Sequence, residues 1–261
     1  MSTVLQRPAR VLANRRASER LWLLDLEVDD IPGALKPGQF VHARIPRMEG
    51  HILRRPFSVY QTSDDGRALT ILYQVVGFGS EHMTTLVPGE ELDLMGPIGT
   101  GWSAPVGTRR ALLVGGGAGA PALYLHAKEL VSRGVEVEVV LGAQTADALV
   151  CAPDFAALID HEPLLATDDG SRGRKGFCTV LVEEALAESS FDHVACCGPD
   201  PLMRAVAAQA KEAGVPAQVS LEKRMACGIG ACLSCVVDTT EGRKRSCVDG
   251  PVFDASKVVW Q

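Results

Sequence analysis

Four cysteines near the C-terminal end constrain the fold of this chain more than any other feature. Three follow the spacing C-x4-C-x2-C and a fourth comes after eleven further residues; they are Cys227, Cys232, Cys235 and Cys247. Three thiolates from one short loop and one from a neighbouring segment are the ligand arrangement of plant-type [2Fe–2S] proteins. Gly228 and Gly230 suit such a loop, because glycine adopts positive φ without steric penalty and lets backbone N–H groups turn towards sulfur. The pattern therefore predicts a [2Fe–2S] cluster.

Zinc and disulfide bonds are the alternative uses of these cysteines. A structural zinc site usually takes two short C-x2–4-C pairs, whereas Cys247 has no close partner in the sequence. Disulfides are not expected, because three of the cysteines lie within nine residues and the N-terminal residues show no secretory signal. Eight cysteines without such a signal predict a reducing compartment, hence the cytoplasm. Zinc stays open as the alternative metal.

The composition is that of an ordinary globular protein with one or two domains. The 261 residues are 46% hydrophobic and 22% charged, and the net charge is −6. An acidic chain without a polybasic run is not expected to bind nucleic acid. The uncharged run of residues 111–127 approaches the length of a membrane span, but its middle is a glycine-rich turn followed by proline. A strand, a turn and the start of a helix explain it better.

Short β-prone runs separated by turn residues occupy the first hundred residues. The predicted strands are 21–28, 40–45, 57–61, 69–76 and 91–95. A short helix is predicted at 81–86 and a closing loop at 96–102. Strands at this spacing predict a small antiparallel barrel over residues 1–104. Apolar residues of the 40–45 strand alternate with His42 and Arg44, as in a strand with one buried face.

Two segments of this predicted barrel suit a flavin. In the segment 55–58, Arg55 offers a guanidinium fork for a pyrophosphate and Ser58 a hydroxyl for the ring system. The segment 77–80 is a Gly-x-Gly-Ser turn between a strand and a helix start, where free N–H groups suit a phosphate. Each segment alone is common in proteins without a flavin. Their order along the chain is what indicates a flavin site.

From residue 105 strands and helices alternate, which predicts a parallel sheet over residues 105–218 with ligands at the strand carboxyl ends. The predicted strands are 111–114, 135–141, 163–167, 193–197 and 217–221, and the predicted helices are 121–133, 180–188 and 201–213. Turns at 115–121, 167–171 and 197–201 would line one edge and bind a dinucleotide. The candidate contacts are Gly115, Gly116, Gly117, Gly119, Cys197, Gly198 and Pro199. The remaining residues, 219–261, form the cluster subdomain.

Two details of this region bear on the cofactor. No arginine directly follows the second strand, which favours NAD over NADP, although Arg172, Arg174 and Lys175 follow the third. Cys197 is interpreted either as an inert strand-end thiol or as a residue next to the nicotinamide.

The order of the three modules resembles the ferredoxin–NADP reductase superfamily with a C-terminal iron–sulfur extension, and in particular the electron transfer subunits of dihydroorotate dehydrogenase B. The segments that carry the resemblance are 55–58, 77–80, 115–121, 197–199, 227–235 and the tail 247–253. Ser80 stands where threonine is common in the family and keeps the hydroxyl. The resemblance implies FAD contacts from Arg55, Pro56, Phe57, Ser58, Leu72, Tyr73, Gln74, Gly79 and Ser80, and cluster ligation by the four cysteines.

The resemblance also implies a partner, an FMN-containing catalytic subunit that oxidises dihydroorotate to orotate in pyrimidine (UMP) biosynthesis, in a heterotetramer with two copies of each chain. Electrons would pass from that FMN through the cluster and FAD to NAD+. The residues themselves support such a converter, because nicotinamide exchanges a hydride whereas a [2Fe–2S] cluster passes single electrons. The alternatives are a reductase subunit of a ferredoxin:NAD(P), sulfide dehydrogenase or hydrogenase-type complex, and a zinc-stapled interaction protein without enzymatic activity.

Overall fold

The computed structural model describes residues 3–260. The first sheet comprises β1 (Leu5–Arg16), β2 (Leu21–Glu27), β3 (Phe40–Arg44), β4 (Arg55–Ser58), β5 (Gln61–Thr62), β6 (Ala68–Gln74) and β7 (Glu91–Ile98). These strands are ordered β4-β3-β7-β1-β2-β6-β5, and every pair is antiparallel. Two short helices, α1 (Ile31–Ala34) and α2 (Phe78–Met83), lie in the connections. The prediction of an antiparallel β-module is confirmed.

The first sheet curls because its two outer strands, β4 and β5, are consecutive in the chain. Only Val59 and Tyr60 separate them, and the Tyr60 N–H donates to the Thr70 carbonyl of β6 at 2.8 Å. Side chains such as Leu24 and Ile71 fill the interior and are fully buried. Each buried aliphatic side chain of this kind contributes about 1.5–3 kcal/mol to folding.

The second sheet is parallel over six strands: β8 (Arg110–Gly116), β9 (Glu136–Ala143), β10 (Leu164–Thr167), β11 (Arg174–Lys175), β12 (His193–Cys197) and β13 (Ala217–Ser220). Helices connect most of them: α3 (Pro121–Ser132), α4 (Ala152–Ile159), α5 (Thr179–Glu188) and α6 (Asp200–Glu212). The strand order is β11-β10-β9-β8-β12-β13. Because each helix returns the chain to the same end, the carboxyl ends of the strands share one edge.

Helices cover both faces of the parallel sheet, as alternate residues of β8 show. Leu113 packs in one apolar cluster with Phe155 of α4, and Leu112 packs in another with Met203 of α6. All four side chains are buried. This two-sided burial explains why β8 is an uninterrupted apolar run rather than an alternating one.

The C-terminal segment leaves the parallel sheet at β13 and returns to it. Its strands are β14 (Val236–Thr239) and β15 (Gly242–Arg245), which form a hairpin, and β16 (Val252–Asp254). β16 pairs antiparallel with β13, with Phe253 opposite Val219. The loop that carries the cysteines is thus an insertion between two neighbouring strands.

The structure corrects several predicted elements. β1 was not predicted, because one proline and four arginines are unusual in a strand at the centre of a sheet. The single strand expected at 57–61 is two strands in the structure: β4, which ends at Ser58, and the short β5. Residues 96–98 extend β7 instead of belonging to a loop, the helix expected at 81–86 begins at Phe78, and α4 was not predicted. Residues 111–127 form β8, a turn and the start of α3; no helix within residues 3–260 has the length and hydrophobicity to span a membrane.

Candidate functional site

The β14–β15 hairpin explains how cysteines distant in sequence come together. Cys235 directly precedes β14, and Cys247 lies two residues after β15. Val236 and Arg245 are register partners, so strand pairing brings both cysteines to the same end of the hairpin. The Ser246 N–H donates to the Cys235 carbonyl at 2.8 Å and fixes this end.

Backbone N–H groups of the loop point at the cysteine sulfurs. The Cys227 sulfur accepts hydrogen bonds from three of them, those of Ile229, Ala231 and Cys232. Gly228 and Gly230, with φ of 71° and 83°, turn the peptides in this way. Burial by itself raises the pKa of the Cys227 thiol, but these hydrogen bonds outweigh it and lower the pKa to about 6. The loop is built to hold a negatively charged sulfur.

The second pair of thiols is more deeply buried. Burial, together with the neighbouring Cys235 thiol, raises the pKa of Cys247 to about 12, although the Gly230 N–H opposes this. The thiols lie as two neighbouring pairs, Cys227 with Cys232 and Cys235 with Cys247. Among residues 3–260, no three potential ligand side chains already converge as a metal site. Four thiols, of which Cys227 and Cys247 have backbone N–H groups aimed at them, fit an iron–sulfur cluster, whose iron would supply the positive charge that buried thiolates need.

The cysteine loop packs against the outside of the first sheet. Phe40 of β3 and Ile98 of β7 form one buried apolar cluster with Cys235 and Cys247. The tail after Cys247 meets the end of the same sheet, where the Thr100 N–H donates to the Gly250 carbonyl. The predicted cluster site therefore touches the predicted flavin module directly.

The two flavin segments predicted from sequence are adjacent in space. A Cβ added to Gly79 would lie 2.9 Å from Arg55 Nε, so the guanidinium lies across the glycine at the start of α2. The Ser80 hydroxyl accepts from the N–H groups of Val76 and Gly77 at 2.9 and 3.2 Å. Ser80 therefore closes the turn, and the Arg55 guanidinium lies against the first turn of α2, so a cation and helix N–H groups that suit phosphate oxygens are side by side.

The other predicted FAD residues lie on β4 and β6, which approach each other as the sheet curls. The rings of Phe57 and Tyr73 lie edge to face with centroids 6.2 Å apart. The Tyr73 hydroxyl donates to Asn14 of β1 at 3.2 Å, and burial raises its pKa. Leu72 is buried in the apolar cluster shared with the parallel sheet, whereas Gln74 is exposed. Pro56 and Ser58 pair with β3 and are partly exposed.

The predicted nucleotide turns meet at the carboxyl edge of the parallel sheet. A Cβ at Gly119 would lie 2.6 Å from the Cys197 carbonyl oxygen, and a Cβ at Gly198 would lie 3.0 Å from Gly116 Cα. The turns after β8 and β12 thus pack backbone against backbone, which only glycine permits at this distance. Pro199 also contacts Gly116, with its Cδ 3.0 Å from an added Cβ. Gly115 is buried, and Gly117 has a positive φ of 52°.

Cys197 stands at this edge as a neutral thiol. Burial raises its pKa to about 12, and its Sγ contacts the Ser220 carbonyl at 3.8 Å. Neither a nucleophile nor a general base is expected from such a group at neutral pH.

Sequence reasoning missed the contact between the two sheets. The Tyr60 hydroxyl donates to the Asp154 carboxylate of α4, and Gln61 Nε2 donates to the same carboxylate at 3.2 Å. Burial raises the pKa of the Cys151 thiol, which lies beside Tyr60, to about 12. Nothing in the local sequence marks these residues, because they meet only when α4 packs against the barrel.

Comparison with known proteins decides the family. Residues 222–259 match the family described as the iron–sulfur cluster binding domain of dihydroorotate dehydrogenase B. Over the whole chain, the electron transfer subunit of dihydroorotate dehydrogenase B (NAD(+)) from Desulforamulus reducens is 36% identical, covering 97% of this chain and 98% of that protein. This chain belongs to the family of dihydroorotate dehydrogenase B electron transfer subunits. The subunit of the same name from Bacillus caldolyticus is 41% identical, covering 95% and 96%. The family's iron–sulfur domain confirms the predicted cluster over the zinc alternative.

Solved structures show the same fold. A structure described as NADH-dependent reduced ferredoxin–NADP oxidoreductase superimposes with a TM-score of 0.86 at 31% identity, covering 97% of this chain and 90% of that one. The ferredoxin reductase of carbazole 1,9a-dioxygenase gives a TM-score of 0.68 at 25% identity over 82% of this chain and 67% of that one. The predicted reductase architecture, with its flavin and nucleotide modules, is confirmed.

Proposed function

We propose that this chain is the electron transfer subunit of an NAD-dependent dihydroorotate dehydrogenase, an oxidoreductase of pyrimidine biosynthesis. One observation carries the proposal besides family membership. The cysteine loop packs on β3, and the strand paired with β3 on one side is β4, which carries Arg55 and Ser58. Cluster and flavin sites are therefore neighbours, as electron transfer between them requires.

Each group of residues has a separate task in this proposal. The four cysteines hold the cluster, the residues of β4, β6 and the start of α2 hold FAD, and the glycine turns after β8 and β12 hold NAD. A bound flavin exchanges electron pairs with nicotinamide and single electrons with a cluster, so it must stand between the two. The chain itself binds and orients these groups. We assign these tasks to residues 1–104, 105–218 and 219–261.

We propose that the substrate is oxidised on an FMN-containing catalytic subunit, in a cytoplasmic heterotetramer. Ile229 and Leu233 of the cysteine loop are 58% and 64% exposed, which suits a surface that a partner covers. A docking surface there would lie beside the cluster, where an incoming electron must enter.

The test is to compare the chain alone with the chain co-expressed with the catalytic subunit. Alone, the purified chain should be yellow-brown, contain iron and flavin, and pass electrons from NADH to an artificial acceptor. Dihydroorotate should reduce NAD+ only in the complex. Oxidation of dihydroorotate by the isolated chain would contradict the proposal.

Replacing one predicted ligand should remove the cluster without removing the flavin. For Cys232→Ser we expect loss of most of the iron and at least a roughly hundredfold fall in transfer between the partner and NAD+, because a hydroxyl is a poor ligand for iron. NADH should still reduce an artificial acceptor that takes its electrons directly from the flavin. Cys178→Ala is the control, since Cys178 is a buried thiol beside Gly142 of β9, and it should keep its iron.

A ferredoxin:NAD(P) reductase subunit is the second candidate, and the superposition at a TM-score of 0.86 favours it. The two functions differ in their electron donor. Rapid cluster reduction by ferredoxin, with no transfer from a dihydroorotate-oxidising partner, would support the second candidate over the first.

A further inference from the structure

His42 lies on β3 between the flavin strand and the cysteine loop. In the strand register it is opposite Pro56 of β4 on one side and Met95 of β7 on the other. Val41 and Ala43 face the interior of the curled sheet, so the His42 side chain leaves on the outer face. That face is not open to solvent, because His42 is 0% exposed.

The cysteine loop is what covers the His42 ring. A Cβ added to Gly228 would lie 2.7 Å from His42 Nδ1 and 3.4 Å from its Cε1. Gly228 directly follows Cys227, and its φ of 71° presents the bare Cα to the imidazole. The ring therefore packs against the loop backbone next to a proposed ligand.

The His42 ring has an unmet hydrogen-bonding requirement. Both ring nitrogens are buried, and neither has a hydrogen-bond partner among the described residues; the Arg54 carbonyl lies near the ring but outside hydrogen-bonding geometry. Burial and the charges of Arg54 and Arg55 lower the pKa of His42 to about 4. An imidazole carries at least one N–H in either protonation state, and a buried N–H is paired in nearly all proteins. Gly228 directly follows Cys227, so the Gly228 side of the ring is where the loop would hold sulfur atoms able to accept this N–H.

We propose that His42 donates its ring N–H to the sulfur atoms of the iron–sulfur cluster and thereby raises the reduction potential of the cluster. The inference rests on the proposed function, because it requires a cluster in the cysteine loop. A hydrogen bond to cluster sulfur stabilises the reduced state, which carries the additional negative charge. Since β3 pairs with β4, His42 would lie between the cluster and the strand that carries the flavin contacts.

Three substitutions test which ring nitrogen of His42 donates the hydrogen bond. His42→Phe keeps a ring and removes the N–H; His42→Asn places an amide nitrogen near Nδ1, and His42→Gln places one near Nε2. We expect His42→Phe to lower the equilibrium constant for cluster reduction about tenfold, which is about 59 mV for a one-electron couple. His42→Asn should restore most of this loss and His42→Gln little, because Nδ1 is the atom facing Gly228.

The measurement is a redox titration of the full chain with FAD and cluster, followed by the EPR signal of the reduced cluster. His193→Gln is the control, since His193 is also buried but begins β12 at the end of the sheet opposite Cys197. Its cluster potential should equal that of the wild type. An unchanged potential in a His42→Phe protein with full iron content would overturn the inference.

A measurement on the wild type covers the case in which the variants lose their cluster. With 15N-labelled histidine, pulsed EPR of the reduced cluster should show weak coupling to one histidine nitrogen. Absence of this coupling overturns the role of His42 alone. Absence of iron from the reconstituted wild type overturns the proposed function as well, so the two failures are distinguishable.

Discussion

At the scale of single residues, the nucleotide edge depends on glycines that have no room for a side chain. An added Cβ at Gly119 meets the Cys197 carbonyl oxygen at 2.6 Å and Gly198 Cα at 2.7 Å. Both are backbone atoms, which cannot move aside as a flexible side chain would. The turn after β8 is therefore fixed by the turn after β12, and the proposed NAD site would depend on the spacing between them.

Gly119→Ala should consequently damage nucleotide binding more than it damages the flavin site. We expect the KM for NADH to rise at least about tenfold. The free energy of unfolding should fall by about 1–3 kcal/mol, because the added methyl group has no room between the two turns. The readouts are steady-state kinetics with an artificial acceptor and urea denaturation. Gly33→Ala is the matched control, because a Cβ there meets nothing within 4 Å; an equal effect in both variants would contradict the steric argument.

How far sequence predicts single residues depends on whether the signal is local. The four cysteines are marked by their spacing, and all of them lie within the matched residues 222–259. His42 shows the limit. Strand alternation correctly places it on the outer face of β3, but alternation cannot reveal that a loop almost two hundred residues later covers that face.

At the scale of elements, α4 is joined to the barrel by a small, partly buried polar group. Asp154 at the start of α4 accepts hydrogen bonds from the Tyr60 hydroxyl and from Gln61 Nε2. The rings of Tyr60, Tyr124 and Phe155 pack around it, with centroid separations of 5.1 and 5.4 Å. These contacts hold the nucleotide module against the segment that closes the curled sheet.

Removing the Tyr60 hydroxyl should weaken this junction. For Tyr60→Phe we expect a loss of about 1–3 kcal/mol in the free energy of unfolding, because the Asp154 carboxylate loses a donor in a partly buried site. Urea denaturation followed by tryptophan fluorescence measures it. Tyr124→Phe removes a hydroxyl from the neighbouring ring and should cost less than about 0.5 kcal/mol; equal losses would argue that packing, and not the hydrogen bond, joins the modules.

One strand was missed in each sheet: β11 in the parallel sheet and β1 in the curled sheet. β8, β9, β10, β12 and β13 each overlap a predicted strand, because a strand buried on both faces is a continuous apolar run bounded by turn residues. β1 has one polar face and contains Pro8, so its sequence resembles that of a loop between strands. Tertiary pairing with β2 and β7 overrides that local signal.

At the scale of the whole molecule, a buried pair of histidines makes stability depend on pH. His126 of α3 and His193 of β12 lie with their Nε2 atoms 3.3 Å apart, and Trp102 stacks on His126 with ring centroids 5.7 Å apart. Burial lowers the pKa of His193 from 6.5 to about 4. Burial, with His193 and then Arg133 as nearby charges, lowers the pKa of His126 to about 3. The folded state therefore requires both rings to be neutral.

The consequence is a loss of stability on acidification. Both histidines take up protons more readily when unfolded, so their contribution is complete above pH 6.5 and declines as pH falls towards the folded values. We expect the Tm to fall by roughly 5 °C or more between pH 7.5 and pH 5. Differential scanning calorimetry measures this, and His126→Gln should flatten the dependence. An equally steep profile in that variant would assign the effect to other groups.

The return of the chain to β13 through β16 has a consequence for any shortened form of the molecule. A protein ending after Leu221 would leave the β13 edge without its antiparallel neighbour, and its free amide and carbonyl groups would be a template for a strand from another copy. Such a truncation is expected to self-associate, visible as light scattering, instead of yielding a smaller working flavoenzyme.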